Sequence, residues 1–112
     1  MTFDDGTVII CDVENGAEPG KIPEKKLKYR ETHCFSEQSL GIQRYYEAIK
    51  ANQLIERVIA IYQAPVSVNQ MAVFEDGSQY LIRMVQPGVD ENGIKIAKLS
   101  LERNGEQYAT DF

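Results

Sequence analysis

The stretch MAVFEDGSQYLIRMVQ, residues 71–86, carries the clearest local folding signal in the sequence. Two apolar runs flank the pair Asp76-Gly77, and glycine accepts the positive φ that a tight hairpin turn requires. This pattern predicts that residues 71–75 pair antiparallel with residues 78–86. The fold can therefore be worked outward from one β-hairpin.

Further strand-like segments lie on both sides of this hairpin. They share β-branched and aromatic residues and turn signals at their ends. Pro87-Gly88 and Glu91-Asn92-Gly93 bound a second turn, which precedes the last strand. The segments are residues 7–13, 27–35, 54–63 and 94–103. Residues 7–13 are apolar on both faces. The odd-numbered face of residues 27–35 is mostly apolar and is predicted to point inward. Short strands joined by hairpins predict a mainly β fold, a small antiparallel β-barrel or sandwich of five to six strands.

One segment reads as a helix instead, SLGIQRYYEAIKANQL, residues 39–54. Ile42, Tyr45, Tyr46 and Ile49 fall at i, i+3, i+4 and i+7, so they form one apolar stripe. The predicted helix is inserted between the second and third strands, where its stripe would cover an open end or one face of the sheet. A partner interface is the alternative for the two tyrosines. The polar face of this helix comprises Gln43, Arg44, Glu47 and Lys50.

Two segments lack a periodic pattern. Residues 14–26 hold two prolines, two glycines and six charges, which predicts a flexible loop. Loops of this length without their own secondary structure are usually either functional or disordered. Residues 104–112 are predicted to be a flexible tail. The expected organisation is a single domain, residues 1–112, with its core at about residues 7–103.

Composition excludes several classes of function. The net charge is −5, whereas proteins that hold nucleic acid by counterion release need clustered lysine and arginine. No apolar run approaches the roughly 20 residues that span a bilayer, and the first residues are acidic where a signal peptide is basic. We therefore expect a soluble protein made in the cytoplasm, without membrane contact.

The sequence offers no pattern for catalysis or for a cofactor. His33 is the only histidine, and no residue stands at a spacing that suggests a triad. Cys11, His33 and Cys34 could suggest zinc, but His33 and Cys34 are consecutive on a predicted strand and point to opposite faces. Both cysteines lie in apolar strands and are predicted to be buried free thiols. No catalytic, cofactor-binding or metal-binding residue is predicted, and the protein is not expected to be an enzyme.

The order of two aromatic-rich motifs resembles that of the head closure, or head-tail joining, proteins of tailed bacteriophages and prophages. In that family a cysteine-ending strand precedes S-x-G-x-x-x-[FY]-Y-x-A, a hydrophobic strand follows, and then a Y-x-G-x-x-Y-x-[IV]-x-R hairpin. Gln43 stands here where the family usually has an acidic residue. The corresponding residues are Ser39, Gly41, Tyr45, Tyr46 and Ala48 in the first motif, and Phe74, Gly77, Tyr80, Ile82 and Arg83 in the second, where Phe74 and Arg83 are each displaced by one position from the family pattern.

The resemblance implies a structural connector protein of the virion, assembled in the host cytoplasm and located at the head-tail interface. It would form a ring beneath the portal and adaptor proteins, close the DNA-filled capsid and offer a surface to the tail or a tail-completion protein. DNA would pass the channel without specific binding, because repeated acidic subunits repel it. Whether the free protein is a monomer stays open.

The resemblance also suggests roles for two groups of residues. The polar helix face would contact neighbouring subunits. The loop would line or constrict the channel, or reach a neighbouring subunit, through Lys21, Ile22, Glu24, Lys25 and Lys26. The alternatives are another tail-completion component, or a small β-barrel module that binds peptide or RNA. RNA binding would need basic residues interleaved with exposed aromatics.

Overall fold

A computed structural model describes residues 1–15, 25–38, 55–110 and 112. These residues form one sheet of eight strands in the order β3-β4-β7-β6-β5-β1-β2-β8, antiparallel except for the β2–β8 pair. The strands are β1 Thr7–Asn15, β2 Lys25–Cys34, β3 Ser36–Gln38, β4 Arg57–Tyr62, β5 Met71–Phe74, β6 Gln79–Val89, β7 Lys95–Arg103 and β8 Ala109–Thr110. The predicted mainly β class is confirmed. The strand count exceeds the predicted five to six because β3 and β8 are only three and two residues long, too short to show a periodicity.

The sheet curls back toward itself. Strands β2 and β3 lie far apart in the sheet order, yet Phe35 alone separates them in the chain. The Phe35 N–H donates to the Gly6 carbonyl at 3.1 Å, and the Asp5 N–H donates to the Phe35 carbonyl at 3.2 Å. Since one residue links the two regions, the sheet is barrel-like and encloses one side.

The enclosed side holds the main core. Alternate residues of each strand point inward, as the two-residue period of a strand dictates. The core residues are Val8, Ile10, Phe35, Ile59, Ile61, Ala72, Phe74, Tyr80, Ile82, Ala97, Leu99 and Leu101.

A second, smaller apolar cluster lies on the outer side of the sheet and is called the outer cluster below. Because residues 9, 11 and 13 alternate with core residues 8 and 10, β1 is apolar on both faces, as its sequence predicts. The outer cluster comprises buried Cys11, Leu27, Met71 and Val73, with Ile9, Val13, Leu81 and Tyr108 packed against it.

A β-bulge corrects the predicted inward face of residues 27–35. In the β1–β2 ladder, Ile10 pairs with Glu31 but Cys11 pairs with Tyr29, so Arg30 is the extra residue. The bulge switches the faces of β2, so that Leu27 joins the outer cluster. The odd-numbered residues of β2 therefore do not all point inward, and Tyr29 is exposed.

The predicted hairpin is confirmed as β5–β6. Gly77 has φ 85° at the turn, and both the N–H and the hydroxyl of Ser78 donate to Asp76 Oδ1. The strand that follows is longer than predicted, since Pro87 and Gly88 lie within β6 and not at a turn. Proline is tolerated there because β5 pairs with β6 only as far as Leu81, which leaves one edge of β6 without a β5 partner at that point.

The second turn is shorter than predicted and lies at residues 90–93. Asp90 Oδ1 accepts the N–H groups of Asn92 and Ile94, both at 2.9 Å, and Gly93 has φ 79°. These bonds hold the β6–β7 connection, so the turn signal comes from Asp90 and Gly93 without the Pro87-Gly88 pair.

Several other predictions change at their boundaries. The ends of the predicted loop are strand, because Glu14 pairs with Lys26 and Asn15 with Lys25, and opposite charges across a ladder favour pairing. Residues 16–24 lie outside the described part of the chain. The whole predicted helix, residues 39–54, also lies outside it. Cys34 is exposed at the end of β2, contrary to the buried position predicted, while Cys11 is buried as predicted.

The residues after β7 continue along the sheet, where β8 pairs with Lys26 and Leu27. Among the residues that the structure describes, no helix is long and apolar enough to cross a membrane.

Candidate functional site

A cleft of about 190 Å³ opens where the start of β1, the β5–β6 turn and the start of β4 meet. Its lining combines aromatic rings with charged side chains. The lining residues are Asp5, Gly6, Thr7, Phe35, Arg57, Phe74, Glu75 and Asp76.

Arg57 is the central side chain of this cleft. Its guanidinium carbon lies 3.7 Å from the centroid of the Phe74 ring, 5.4 Å from that of Phe35 and 5.8 Å from that of Tyr80. Its Nε donates to both carboxylate oxygens of Glu37, at 2.8 and 3.0 Å. A cation over an aromatic face is attracted by the ring quadrupole, so Arg57 is held between the rings and one carboxylate.

The three rings under Arg57 pack edge to face. The Phe35 and Phe74 centroids are 5.2 Å apart, and those of Phe74 and Tyr80 are 5.3 Å apart. Perpendicular rings at this distance are a favoured aromatic geometry. Since Phe35 joins β2 to β3 while Phe74 and Tyr80 flank the β5–β6 turn, the rings tie distant parts of the sheet together.

Arg57 has a raised pKa. Burial by itself would lower the pKa of Arg57, but the hydrogen bond and negative charge of Glu37, together with Tyr80, outweigh burial, and the pKa is raised. Arginine is already protonated under all ordinary conditions. Arg57 can therefore act as a fixed positive charge and hydrogen-bond donor, and it has no use as a proton donor in catalysis.

The carboxylates of the cleft are also engaged. Glu75 Oε1 accepts both the hydroxyl and the N–H of Thr7 at 2.8 Å, and these bonds lower the pKa of Glu75. Bonds from the Ser78 hydroxyl and N–H lower the pKa of Asp76 in the same way. Asp5 Oδ2 accepts the Glu37 N–H at 2.7 Å. A carboxyl group that serves as a general acid near neutral pH needs a raised pKa, so Glu75 and Asp76 are arranged as hydrogen-bond acceptors.

The residues weighed for a zinc site are dispersed. Cys11 is buried in the outer cluster and Cys34 is exposed, while His33 Nε2 lies 3.0 Å from a carboxylate oxygen of Glu31. Within the described ranges, no group of three or more histidine, cysteine or acidic residues is placed to hold a metal ion.

The comparisons with known proteins identify a shared fold. No family model matches the chain, and the search of curated proteins found no match. A solution structure of protein SF1141 from Shigella flexneri 2a is similar, with a TM-score of 0.55 and 15% sequence identity. The match covers 90% of this chain and 93% of that one. Nearly the full length of both chains therefore follows one fold, and the likeness says no more than that.

The second aromatic motif occupies structural positions around the cleft. Gly77 forms the β5–β6 turn, Phe74 and Tyr80 are buried against each other, and Ile82 is in the core. Arg83 points outward and pairs with Glu102. The first motif lies outside the described residues; its members are Ser39, Gly41, Tyr45, Tyr46 and Ala48.

Few of the residues predicted for partner contacts are described. Lys25 and Lys26 begin β2; Lys25 Nζ lies 5.7 Å from the centroid of the Tyr108 ring, and Lys26 pairs with Ala109. The remaining ones lie outside the described ranges: Lys21, Ile22, Glu24, Gln43, Arg44, Glu47 and Lys50.

Sequence reasoning missed Arg57 and Glu37. Arg57 directly precedes four consecutive buried residues, Val58 to Ile61, and a charged residue bordering so apolar a strand is a signal that could have been noticed. Its partner could not be found in the same way, because Glu37 lies 20 positions away and no local pattern connects them.

Proposed function

We propose that this chain is a structural head-tail connector protein of a tailed bacteriophage or prophage. It assembles as a ring under the portal and adaptor, closes the DNA-filled capsid and provides the surface to which the tail attaches. It acts in the virion after assembly in the host cytoplasm, and it is not an enzyme.

The order of the two aromatic motifs carries this proposal, and the second motif has a physical basis in the fold. The turn needs Gly77 because its φ is positive. Phe74 and Tyr80 are both needed because each ring packs on the other beneath Arg57. A motif whose residues build one hairpin and one aromatic contact is a signature of a fold, which supports membership in a family defined by that hairpin.

The geometry of the cleft suits a structural protein. Arg57, Glu37, Glu75 and Asp76 all bond to side chains or backbone groups of the same chain. Such internal pairing stabilises one arrangement of the barrel end. A substrate would have to break these bonds before it could use the same groups.

Net charge supports the passage of DNA through a ring. Each copy contributes −5, and a ring multiplies this charge around its channel, which repels the phosphate backbone. Residues 16–24, between β1 and β2, are the segment proposed to line the channel or reach a neighbour. Deleting them should impair DNA retention or tail joining. Capsids that carry the deletion variant, keep their DNA and join tails normally would rule out this role.

The surface of β2 weighs against RNA binding. Lys28, Tyr29 and Arg30 are consecutive and exposed, the composition that a nucleic-acid face requires. Lys28 Nζ, however, lies 3.5 Å from Glu14, and the Arg30 guanidinium lies 3.3 Å from Asp12. The positive charges are thus matched by carboxylates of β1, and the connector proposal fits this surface better.

Deleting the gene from the bacterium or phage that carries it tests the proposal. After induction, the deletion strain should release heads without tails, free tails and unprotected DNA, and a plasmid copy of the wild-type gene should restore tailed particles. Tailed, infectious particles at the wild-type yield without the gene would contradict the proposal. A small β-barrel binding module would then be the better hypothesis.

The polar face of the helix predicted from the sequence supplies a further variant for the same strain. The double charge reversal Arg44→Glu with Glu47→Arg should leave the purified protein folded but reduce ring assembly. If tailed particles form normally with this variant, the face is solvated surface and contacts between copies lie elsewhere.

A further inference from the structure

The residues that follow β7 lie as a strap across the outer side of the sheet; the strap is defined as residues 104–110. The Asn104 N–H donates to the Gln79 carbonyl at 3.0 Å, and Gln107 Nε2 donates to the Gly77 carbonyl at 3.1 Å. Strand β8 then runs parallel to β2, with Ala109 opposite Lys26. The strap therefore spans from the β5–β6 turn to the edge of the sheet.

Gln79 recognises the strap through its main chain. Its side-chain Nε2 donates to the Tyr108 carbonyl, and its Oε1 accepts the Tyr108 N–H, both at 2.9 Å. Gln79 is only 3% exposed, and a buried amide requires such partners. Both hydrogen-bonding groups of one strap residue are thus matched by one side chain built into the body of the protein.

The strap covers the outer cluster incompletely. Tyr108 packs on the cluster, but Ile9, Val13 and Leu81 are only partly buried. At the edge, Tyr29 is 46% exposed and Phe112 49% exposed, with their rings edge to face at 6.1 Å. The parallel ladder is two residues long. The groove over the outer cluster, which contains Gln79, is therefore covered only by a short segment at a sheet edge.

Charge favours this segment as the occupant of the groove. The strap includes Glu106 and no lysine or arginine. The exposed start of β2 that it approaches carries Lys25 and Lys26. Every copy of the chain offers the same acidic strap and the same basic groove edge.

We propose that the groove over the outer cluster binds the strap of a second copy, so that neighbouring copies exchange straps. A strap from another chain would make the same bonds to Gln79 and β2, which is why exchange of an identical segment costs little. Gly105 is exposed and a side chain added there would meet nothing within 4 Å, so the segment after β7 has room to turn away at this residue. The inference deepens the proposed function by naming a contact between ring copies, and it rests on that function for the choice of a second copy.

Disulfide trapping between two full-length variants tests the exchange. Lys26→Cys and Ala109→Cys are made separately, each with Cys34→Ser to remove the exposed native thiol. Both positions are exposed, and as ladder partners they lie within the range that a disulfide bridges. A concentrated mixture of the two variants is incubated, oxidised and run on a non-reducing denaturing gel. Exchange predicts a mixed disulfide dimer at least tenfold more abundant than in a control mixture of Lys26→Cys with Val68→Cys.

Each outcome decides the matter. A mixed dimer no more abundant than the control pair would overturn the proposal. The double variant with both cysteines in one chain should form the bridge within an unexchanged copy or between exchanged copies; if it forms neither, the strap is not seated as described and the proposal is equally overturned. Failure here leaves the deletion phenotype of the connector untouched, whereas a mixed dimer from a gene that proves dispensable for tail joining would support exchange and contradict the connector.

Discussion

Removing Arg57 should destabilise the protein more than removing any ordinary surface arginine. Arg57→Ala loses a cation that lies 3.7 Å from the Phe74 centroid, an interaction of about 1–2 kcal/mol at a site partly shielded from water. It also loses the pair with Glu37, about 0.5–1 kcal/mol, and the cover that the aliphatic stem gives the rings, about 1 kcal/mol. The expected decrease in the free energy of unfolding is about 3 kcal/mol.

Arg83→Ala is the matched control. Arg83 also pairs with a carboxylate, that of Glu102, but its side chain is 39% exposed and Arg57 is 25% exposed. Surface pairs contribute about 0–1 kcal/mol, so Arg83→Ala should cost less than 1 kcal/mol by the same principle. Arg57→Lys should fall between the two, because lysine keeps the charge but lacks the planar group that stacks on a ring.

Urea unfolding followed by far-ultraviolet circular dichroism measures these changes. Equal slopes and shifted midpoints would report stability alone. If Arg57→Ala and Arg83→Ala have midpoints that differ by less than the equivalent of about 0.5 kcal/mol, the aromatic cluster does not depend on Arg57 and the account of the cleft is wrong.

Three further predictions concern other parts of the molecule. Gly77→Ala should lower stability by about 1–2 kcal/mol because alanine disfavours positive φ, whereas Gly105→Ala, with equal space but no positive φ, should change it little; equal thermal midpoints would refute the strain argument. Ser100 is fully buried and its Oγ has no hydrogen-bond partner in the described part of the chain, so Ser100→Ala should be neutral or raise the urea midpoint, and a clear loss would reveal a missed bond. Bonds from Thr7 hold the pKa of Glu75 below its ordinary 4.5, so this stabilisation is present above pH 4.5 and is lost as the pH falls through the lower folded value; Glu75→Gln should flatten the acid limb of stability against pH, and an unchanged limb would assign acid sensitivity elsewhere.

The parts of the fold that local sequence signals encode were the ones predicted. The β5–β6 hairpin follows from Asp76-Gly77 between apolar runs, and the two-sided burial of β1 follows from consecutive apolar residues. Strands β3 and β8 carry no such signal, because partners far away in the sequence hold them in the sheet. The switch of face within β2 depends on a bulge, which a strict alternation of residues does not reveal.

The cleft was beyond sequence reasoning for the same reason. Arg57 meets Glu37 and Phe74 only after the sheet curls, and none of the three belongs to a motif that requires the others. Gln79 is similar, since its partner Tyr108 lies 29 residues away in a segment with weak pattern.

The position of the protein in finished particles tests the connector proposal most directly. Tailed particles from the bacterium or phage that carries the gene can be purified, labelled with a gold-tagged antibody against this chain and imaged by electron microscopy. The connector proposal predicts that the protein co-purifies with the particles and that gold marks the junction between head and tail. Particles that lack the protein, or gold confined to the capsid shell or the tail tip, would contradict it.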